Sequence, residues 1–307
     1  MVGLGRMGGN MVHRLLRGGH RVVAFDRSED AVKAAALEGA TGASSLQEFA
    51  EKFEARPRVM WVMLPAGDPT TQTIRQLVEL AAQGDIVIDG GNSNFKEALI
   101  DAEYVKSKGM HYLDAGVSGG IWGLANGYGL MVGGEPDMYN HVLPLLQTLA
   151  PTEGGLVHTG PEGSGHFVKM VHNGVEYAMM QAYAEGFQLM RDSVYPGLNL
   201  QAIAEAWRYG TVVRSWLLDL IADGLSKDPQ LERIRGYVED TGEGRWTVDT
   251  AIDFAVPTPV IALALFERFR SRQKDSFADR MLAMLRNQFG GHAVQSAEEA
   301  ASPDRAA

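Results

Sequence analysis

A chain of 307 residues is long enough for two domains with separate cores, and its 45% hydrophobic, 21% charged composition is that of an ordinary globular protein. The absence of cysteine excludes disulfides, thiolate metal sites and a thiol nucleophile, and it fits a reducing cytoplasm. A formal charge of -10 argues against nucleic acid as a partner, and the longest apolar run, residues 260–266, is far too short to cross a membrane.

In chain order, Gly3-Leu4-Gly5-Arg6-Met7-Gly8 fits G-x-G-x-x-G and leads at once into a helical pattern over residues 10–16. No signal peptide is expected, because that motif stands at the start. Only Met1 and Val2 precede it, where a dinucleotide-binding sheet has a full central strand. The expectation is a truncated first strand, with the recorded start omitting several residues. Strands are expected at 21–26, 58–64, 85–89, 111–114 and 129–132, and helices at 29–38, 70–82 and 95–107. A further helix opens on Pro136 and runs to 149. This alternation predicts a parallel α/β sheet.

From about residue 163 the pattern becomes helical throughout, over 165–191, 200–209, 212–224, 249–254, 260–272 and 276–287. The fold class is therefore α/β: a Rossmann-type dinucleotide-binding domain over 1–160, then an all-α substrate and oligomerisation domain over 161–295. A tail at 296–307, rich in Ala, Glu, Ser and Asp, is expected to be disordered.

Gly3, Gly5, Arg6, Met7 and Gly8 are the candidate pyrophosphate site, since glycines permit a tight turn and let backbone amides approach an anion. The next strand ends in Asp26, 18 residues after Gly8, where an acid would hydrogen-bond the adenosine ribose 2′-OH. A carboxylate about 4 Å from a 2′-phosphate charge costs on the order of 4 kcal/mol at an effective dielectric near 20. Arg27 could offset part of that by stacking on adenine or by reaching the phosphate. NAD is favoured over NADP.

Residues 163–177 carry the most information. At about 100° per residue, Lys169, His172, Asn173, Glu176 and Tyr177 fall within an arc of roughly 140°. Phe167, Met170, Val171 and Val175 can pack inward between them. A solvated helix with a Lys–Glu pair is the plain alternative. Against it, Asn, Gly and His are weak helix formers for a merely solvated face.

The run His166-Phe167-Val168-Lys169-Met170-Val171-His172-Asn173-Gly174-Val175-Glu176-Tyr177 resembles the signature of decarboxylating 6-phosphogluconate dehydrogenases, especially their short, often NAD-preferring bacterial branch. Gly90-Gly91-Asn92-Ser93, Asp114-Ala115-Gly116-Val117-Ser118-Gly119-Gly120 and Gly244-Arg245-Trp246-Thr247 agree in order, and the likeness runs from Gly3 to His292. The resemblance implies oxidation of 6-phosphogluconate at C3, loss of CO₂ and release of ribulose 5-phosphate, without a metal. It makes Lys169 the general base and Glu176 the acid that protonates the enediol carbon. Asn173 and His172 hold substrate hydroxyls, Ser118, Gly119 and Gly120 cradle the carboxylate, and Asn92 touches both substrate and cofactor. Asn92-Ser93 could equally be a turn or helix cap.

The same resemblance makes Tyr177 and Arg268 phosphate ligands, and makes Arg286 and His292 residues that reach the neighbouring subunit's site. A plainer role for the last pair is a helix end capped at Gly290. Long family members carry a phosphate-binding lysine where this sequence has Thr241, with Glu243 nearby, and they contain a second helical half absent here. A homodimer or higher oligomer is therefore expected. Two alternatives stay open: a β-hydroxyacid dehydrogenase that does not decarboxylate, which leaves Glu176 without a purpose, and a non-catalytic nucleotide sensor, which needs neither Lys169 nor Glu176.

Overall fold

A computed structural model describes residues 1–295, so the tail at 296–307 expected to be disordered lies outside the described residues. The chain divides into two compact units, Met1–Tyr177 with Gly242–Ile261, and Ala178–Thr241 with the described residues from Ala262 onward. This division differs from a boundary at 160/161: the start of the helix after the sheet, and a later segment, group with the sheet.

The first unit is an α/β sheet. Its helices are α1 (Arg6–Arg17), α2 (Glu29–Leu37), α3 (Leu46–Glu51), α4 (Asp68–Leu80), α5 (Phe95–Ser107), α6 (Gly123–Asn126) and α7 (Pro136–Leu149). Its strands are β1 (Val23–Phe25), β2 (Thr41–Ala43), β3 (Val59–Val62), β4 (Ile86–Asp89), β5 (His111–Ser118), β6 (Gly129–Gly134) and β7 (Leu156–Gly160). β1 and β2 pair in parallel, and β3-β4-β5-β6-β7 lie in that order. Val2 forms single parallel bridges to Phe25 and to Val62, so the short first strand survives as one residue between β1 and β3.

Two features depart from the expected parallel sheet. β5 pairs antiparallel with β6, because the connection at Gly119–Tyr128 is too short for a crossover. β7, unanticipated, then returns parallel to β6 after α7. β4 is buried along its whole length, which explains its continuous Ile-Val-Ile run. α5 and α7 match their expected ranges because their ends are signalled: the Asn94 side chain accepts from Lys96 N, and Pro136 fills the first turn of α7. Core side chains cover the sheet, among them Leu15, Trp61, Ile86, Leu113 and Leu130 in one cluster and Phe49, Val62, Ile74, Val87 and Tyr112 in another.

The helices that follow are α8 (Ser164–Arg191), α9 (Leu200–Trp207), α10 (Trp216–Lys227), α11 (Glu243–Asp253), α12 (Pro259–Arg270) and α13 (Phe277–Gly290). In the second unit, Ala204, Leu218, Ala222 and Leu225 form a small core packed by Tyr183 and Phe187 of α8. Ser215 and Ser276 cap α10 and α13 through their side chains. The left-handed residue ending α13 is Gly291, not Gly290. α11 begins earlier than expected, because Gly242, at φ 106°, turns the chain into the helix.

Candidate active site

The glycine loop is shaped by close approach. A Cβ on Gly3 would stand 2.3 Å from Met63 O, and one on Gly8 would stand 2.0 Å from Gly3 O. α1 starts at Arg6 with Gly5 at its N-cap and no side-chain cap, so its first amides face outward beside the exposed Gly5 and Arg6 and the half-buried Met7. Asp26, at the end of β1, accepts from Leu4 N at 2.6 Å and Ser28 N at 2.8 Å, which ties the glycine loop to the strand end; Arg27 beside it is exposed. A Gly-rich turn, an open helix N-terminus and an acid at the second strand end together fit a dinucleotide.

At the ends of β4 and β5 the chain turns through Asn92, whose φ of 53° is a left-handed value that Asn tolerates. Its side-chain amide donates to Val117 O at 3.1 Å and accepts from Val117 N at 2.9 Å. Ser118, half-buried, is the last residue of β5, and Gly119 and Gly120 turn the chain with φ of 123° and 51°.

α8 crosses the sheet at very short range. A Cβ on Gly116 would lie 2.4 Å from Lys169 Cβ, and one on Gly165 would lie 2.5 Å from both Asp114 O and Met131 O. Lys169 is consequently buried at 5% exposure, yet its Nζ donates to Asn173 Oδ1 at 2.6 Å and lies 3.4 Å from His172 Nδ1. His172 Nδ1 stands 3.1 Å from Asn173 Oδ1 and 3.8 Å from Glu176 Oε2, so four polar side chains form one string along two turns. Burial pushes the Lys169 amine below the ordinary lysine range, while the carboxylates of Glu176 and then Glu243 act the other way. The inward set differs from the one expected: Lys169 and Tyr177 are buried with Met170, whereas Val175 is 46% exposed.

α11 packs on this half of α8. Thr247 Oγ1 donates to Met170 O at 2.8 Å, and a Cβ on Gly244 would meet Tyr177 Cε2 at 2.5 Å. That contact explains the Gly-Arg-Trp-Thr block in this segment. It also brings Glu243, first residue of α11, to bear on Lys169, which sequence reasoning connected only with phosphate.

Sequence reasoning also passed over the ground beneath Lys169. Asp89 and Asp114, in register on β4 and β5, are both buried, and His166 of α8 is buried against them. Carboxylates ending apolar runs (Ile-Val-Ile-Asp and Tyr-Leu-Asp) were the available signal.

The remaining candidates belong to the second unit. Arg268 Nη1 donates to Glu239 O at 2.7 Å, and its Nη2 lies 3.7 Å from Met180 Sδ. Arg286 and His292 are exposed and line one cavity of about 370 Å³ with Asp275, Asp279 and Arg280. Among the described residues no group of three or more His, Cys, Asp or Glu could hold a metal ion, and no helix is long and apolar enough to cross a membrane.

A dinucleotide-binding sheet with a buried amine and a carboxylate on successive turns of the helix that crosses it defines a nicotinamide-dependent dehydrogenase. Residues 1–160 match the family described as the NAD binding domain of 6-phosphogluconate dehydrogenase, and residues 165–302 match the 6-phosphogluconate dehydrogenase C-terminal domain. The chain belongs to the 6-phosphogluconate dehydrogenase family. It is 41% identical over 295 residues to the putative 6-phosphogluconate dehydrogenase YqeC of Bacillus subtilis, covering 96% of this chain and 98% of that one. It is 43% identical over 295 residues to an NAD(+)-dependent, decarboxylating 6-phosphogluconate dehydrogenase of Haloferax volcanii, covering 96% of this chain and 97% of that one. Among solved structures, the 6-phosphogluconate dehydrogenase of Plasmodium falciparum is similar at a TM-score of 0.82 and 26% identity, over 99% of this chain and 66% of that chain. A 3-hydroxyisobutyrate dehydrogenase of Mycobacterium tuberculosis is similar at a TM-score of 0.72 and 25% identity, over 93% of this chain and 97% of that one.

Proposed function

We propose that this chain oxidises 6-phosphogluconate at C3 and decarboxylates the product to ribulose 5-phosphate. The observation that carries the reading is the buried Lys169 amine, hydrogen-bonded to Asn173 and followed on the same face by Glu176. A binding module has no use for a base and an acid placed on successive turns.

Gly3, Gly5, Arg6, Met7, Gly8, Asp26 and Arg27 would hold the dinucleotide; when bound, it supplies the acceptor for the hydride lost from C3. Lys169, neutral at the outset, takes the C3 hydroxyl proton as that hydride departs, leaving a 3-keto acid. The bond from C2 to the carboxylate carbon then breaks, CO₂ leaves, and its electron pair forms the enediol as Lys169 returns its proton to the C3 oxygen. Glu176 delivers a proton to the carbon that lost CO₂ while Lys169 takes back the proton on the former C3 oxygen, completing the ketopentose. Asn173 and His172 orient the hydroxyls, Asn92 lies between substrate and cofactor, and Ser118 with the Gly119 and Gly120 amides receives the carboxylate.

NAD is the favoured cofactor, because the Asp26 carboxylate, held by Leu4 N and Ser28 N, repels a 2′-phosphate. Tyr177 and Arg268 serve the substrate phosphate, and Arg286 and His292 complete the site of a second copy, which makes the working form at least a homodimer. A cytoplasmic setting agrees with a sequence that has no cysteine.

The test is NAD reduction with 6-phosphogluconate followed together with CO₂ release. Equal rates of NADH and CO₂ are expected; NADH without CO₂ would favour the non-decarboxylating reading, and no NADH would end both. Sedimentation at several concentrations should show a dimer or larger; a fully active monomer refutes the shared site.

A further inference from the structure

Behind Lys169 lies a buried charged cluster that the reaction above does not use. Asp89 and Asp114 are paired across β4 and β5, about 5 Å apart along the sheet. Asp114 accepts from Gly163 N and His166 N, each at 2.7 Å, so a strand carboxylate caps the N-terminus of α8 and suits its dipole. Asp89 accepts from Gly91 N at 2.8 Å and from the Tyr112 hydroxyl at 3.2 Å. His166 Nε2 stands 3.2 Å from Asp89 Oδ2, an ion-pair distance lying off the line of a well-directed hydrogen bond, and its side chain has no exposure. Burial opposes the imidazolium, but Asp89 and then Asp114 outweigh it and raise the His166 pKa; burial likewise opposes the Asp89 carboxylate, yet the His166 charge outweighs it and lowers the Asp89 pKa. Both shifts favour the charged forms of the pair.

These contacts close a ring through the site. From His166 the ring passes to Asp89, then by Gly91 to Asn92, and by the two amide bonds of Asn92 to Val117. Gly116, next on β5, bears on Lys169 Cβ, and one turn of α8 leads from Lys169 back to His166. An apolar side chain could fill the volume of His166, but it would leave the buried Asp89 carboxylate with no side-chain N–H facing it from α8. Buried ion pairs add little net stability beside well-packed apolar residues, and their best-attested use is to fix registry.

We propose that His166 is a positioning residue: its polar contact with Asp89 fixes the first turns of α8 to the end of β4, so that the Lys169 amine and the Asn92 turn keep one registry. This rests on the dehydrogenase reading above, and the test separates the two. His166→Gln keeps a donor near the Nε2 position, whereas His166→Leu keeps the volume alone. His166→Leu should lose kcat by roughly 100-fold with each KM moving less than about threefold, and His166→Gln should stay within about fivefold of the parent. The second readout needs no substrate: the titration of ¹³Cε-labelled Lys169, identified by its loss in Lys169→Arg, with His172, Glu176 and Glu243 as the ionisable neighbours. It should move toward an ordinary lysine in His166→Leu and stay put in His166→Gln. Equal kcat losses in both variants, or a Lys169 titration unchanged in His166→Leu, overturn the proposal. If His166→Leu does not fold, Asp89→Leu takes its place with the same expected shift and the same overturning result. A parent enzyme inactive on 6-phosphogluconate refutes the functional reading, while the Lys169 titration still decides the role of His166.

Discussion

Lys169 Nζ donates to the side-chain oxygen of Asn173 at 2.6 Å, one helical turn ahead, on a face of α8 that the sheet covers. A long flexible amine is thereby held at one point, and Asn173 selects its orientation without supplying a countercharge. Lys169→Ala should cut kcat by about 10³-fold with NAD affinity unchanged, as expected for loss of a general base. Stopped-flow turnover beside fluorescence titration of NAD would check it; kcat within tenfold of the parent would remove Lys169 from the chemistry.

The pH profile follows from the charges around the amine. Activity needs neutral Lys169, so it should rise with pH through the depressed Lys169 pKa. Glu243 raises that pKa, so Glu243→Gln should move the acid limb of log kcat/KM to lower pH. A limb moving to higher pH contradicts this electrostatic account.

Stability carries the opposite sign at the same residue. With its folded pKa below its unfolded one, Lys169 binds its proton better in the unfolded chain, so its unfavourable contribution fades only as pH rises toward the ordinary lysine value. Lys169→Met should raise stability at neutral pH by on the order of 1 kcal/mol, or about 2 °C in Tm. Calorimetry at neutral and alkaline pH would show the gain shrinking as pH rises.

Gly116 touches no reacting group in the proposed mechanism, yet any Cβ there meets Lys169 Cβ at 2.4 Å and Gly165 O at 2.8 Å. Gly116→Ala should cost about 1–3 kcal/mol of stability through overpacking and lower kcat more than it raises KM. Urea unfolding and steady-state kinetics on one preparation would decide; parent-like values in both would show that α8 can lift without consequence.

At the cofactor end, Asp26→Asn keeps an acceptor for Leu4 N but removes the charge. The ratio of kcat/KM for NADP to that for NAD should rise roughly 10- to 100-fold. An unchanged ratio would place the discrimination elsewhere.

What the sequence discloses about this fold depends on length and on end signals. α8, with its polar arc, follows from a 3.6-residue period sustained over many turns, and α5 and α7 follow from Asn94 and Pro136. β2, α3 and β7 span too few residues for a period to show, and the antiparallel pairing of β5 with β6 depends on a turn of glycines rather than on strand composition. The polar string at Lys169, His172, Asn173 and Glu176 could be read from spacing, whereas the pairing of His166 with Asp89 could not. It requires that β4 and β5 be neighbours in register, a relation that residues 25 apart do not announce locally.

The capping of α8 by Asp114 bears on how such enzymes can be taken apart. A fragment cut at residue 160 keeps Asp114 but discards Gly163 N and His166 N, its two amide donors, and leaves Asp89 without its cation. Asp114 would then sit without its two amide donors and Asp89 with only Gly91 N and the Tyr112 hydroxyl, and the fragment should swell or precipitate near neutral pH. Nucleotide-binding cassettes grafted from this scaffold need the opening turns of α8, and Gly242–Ile261 packed against them, to travel with the sheet.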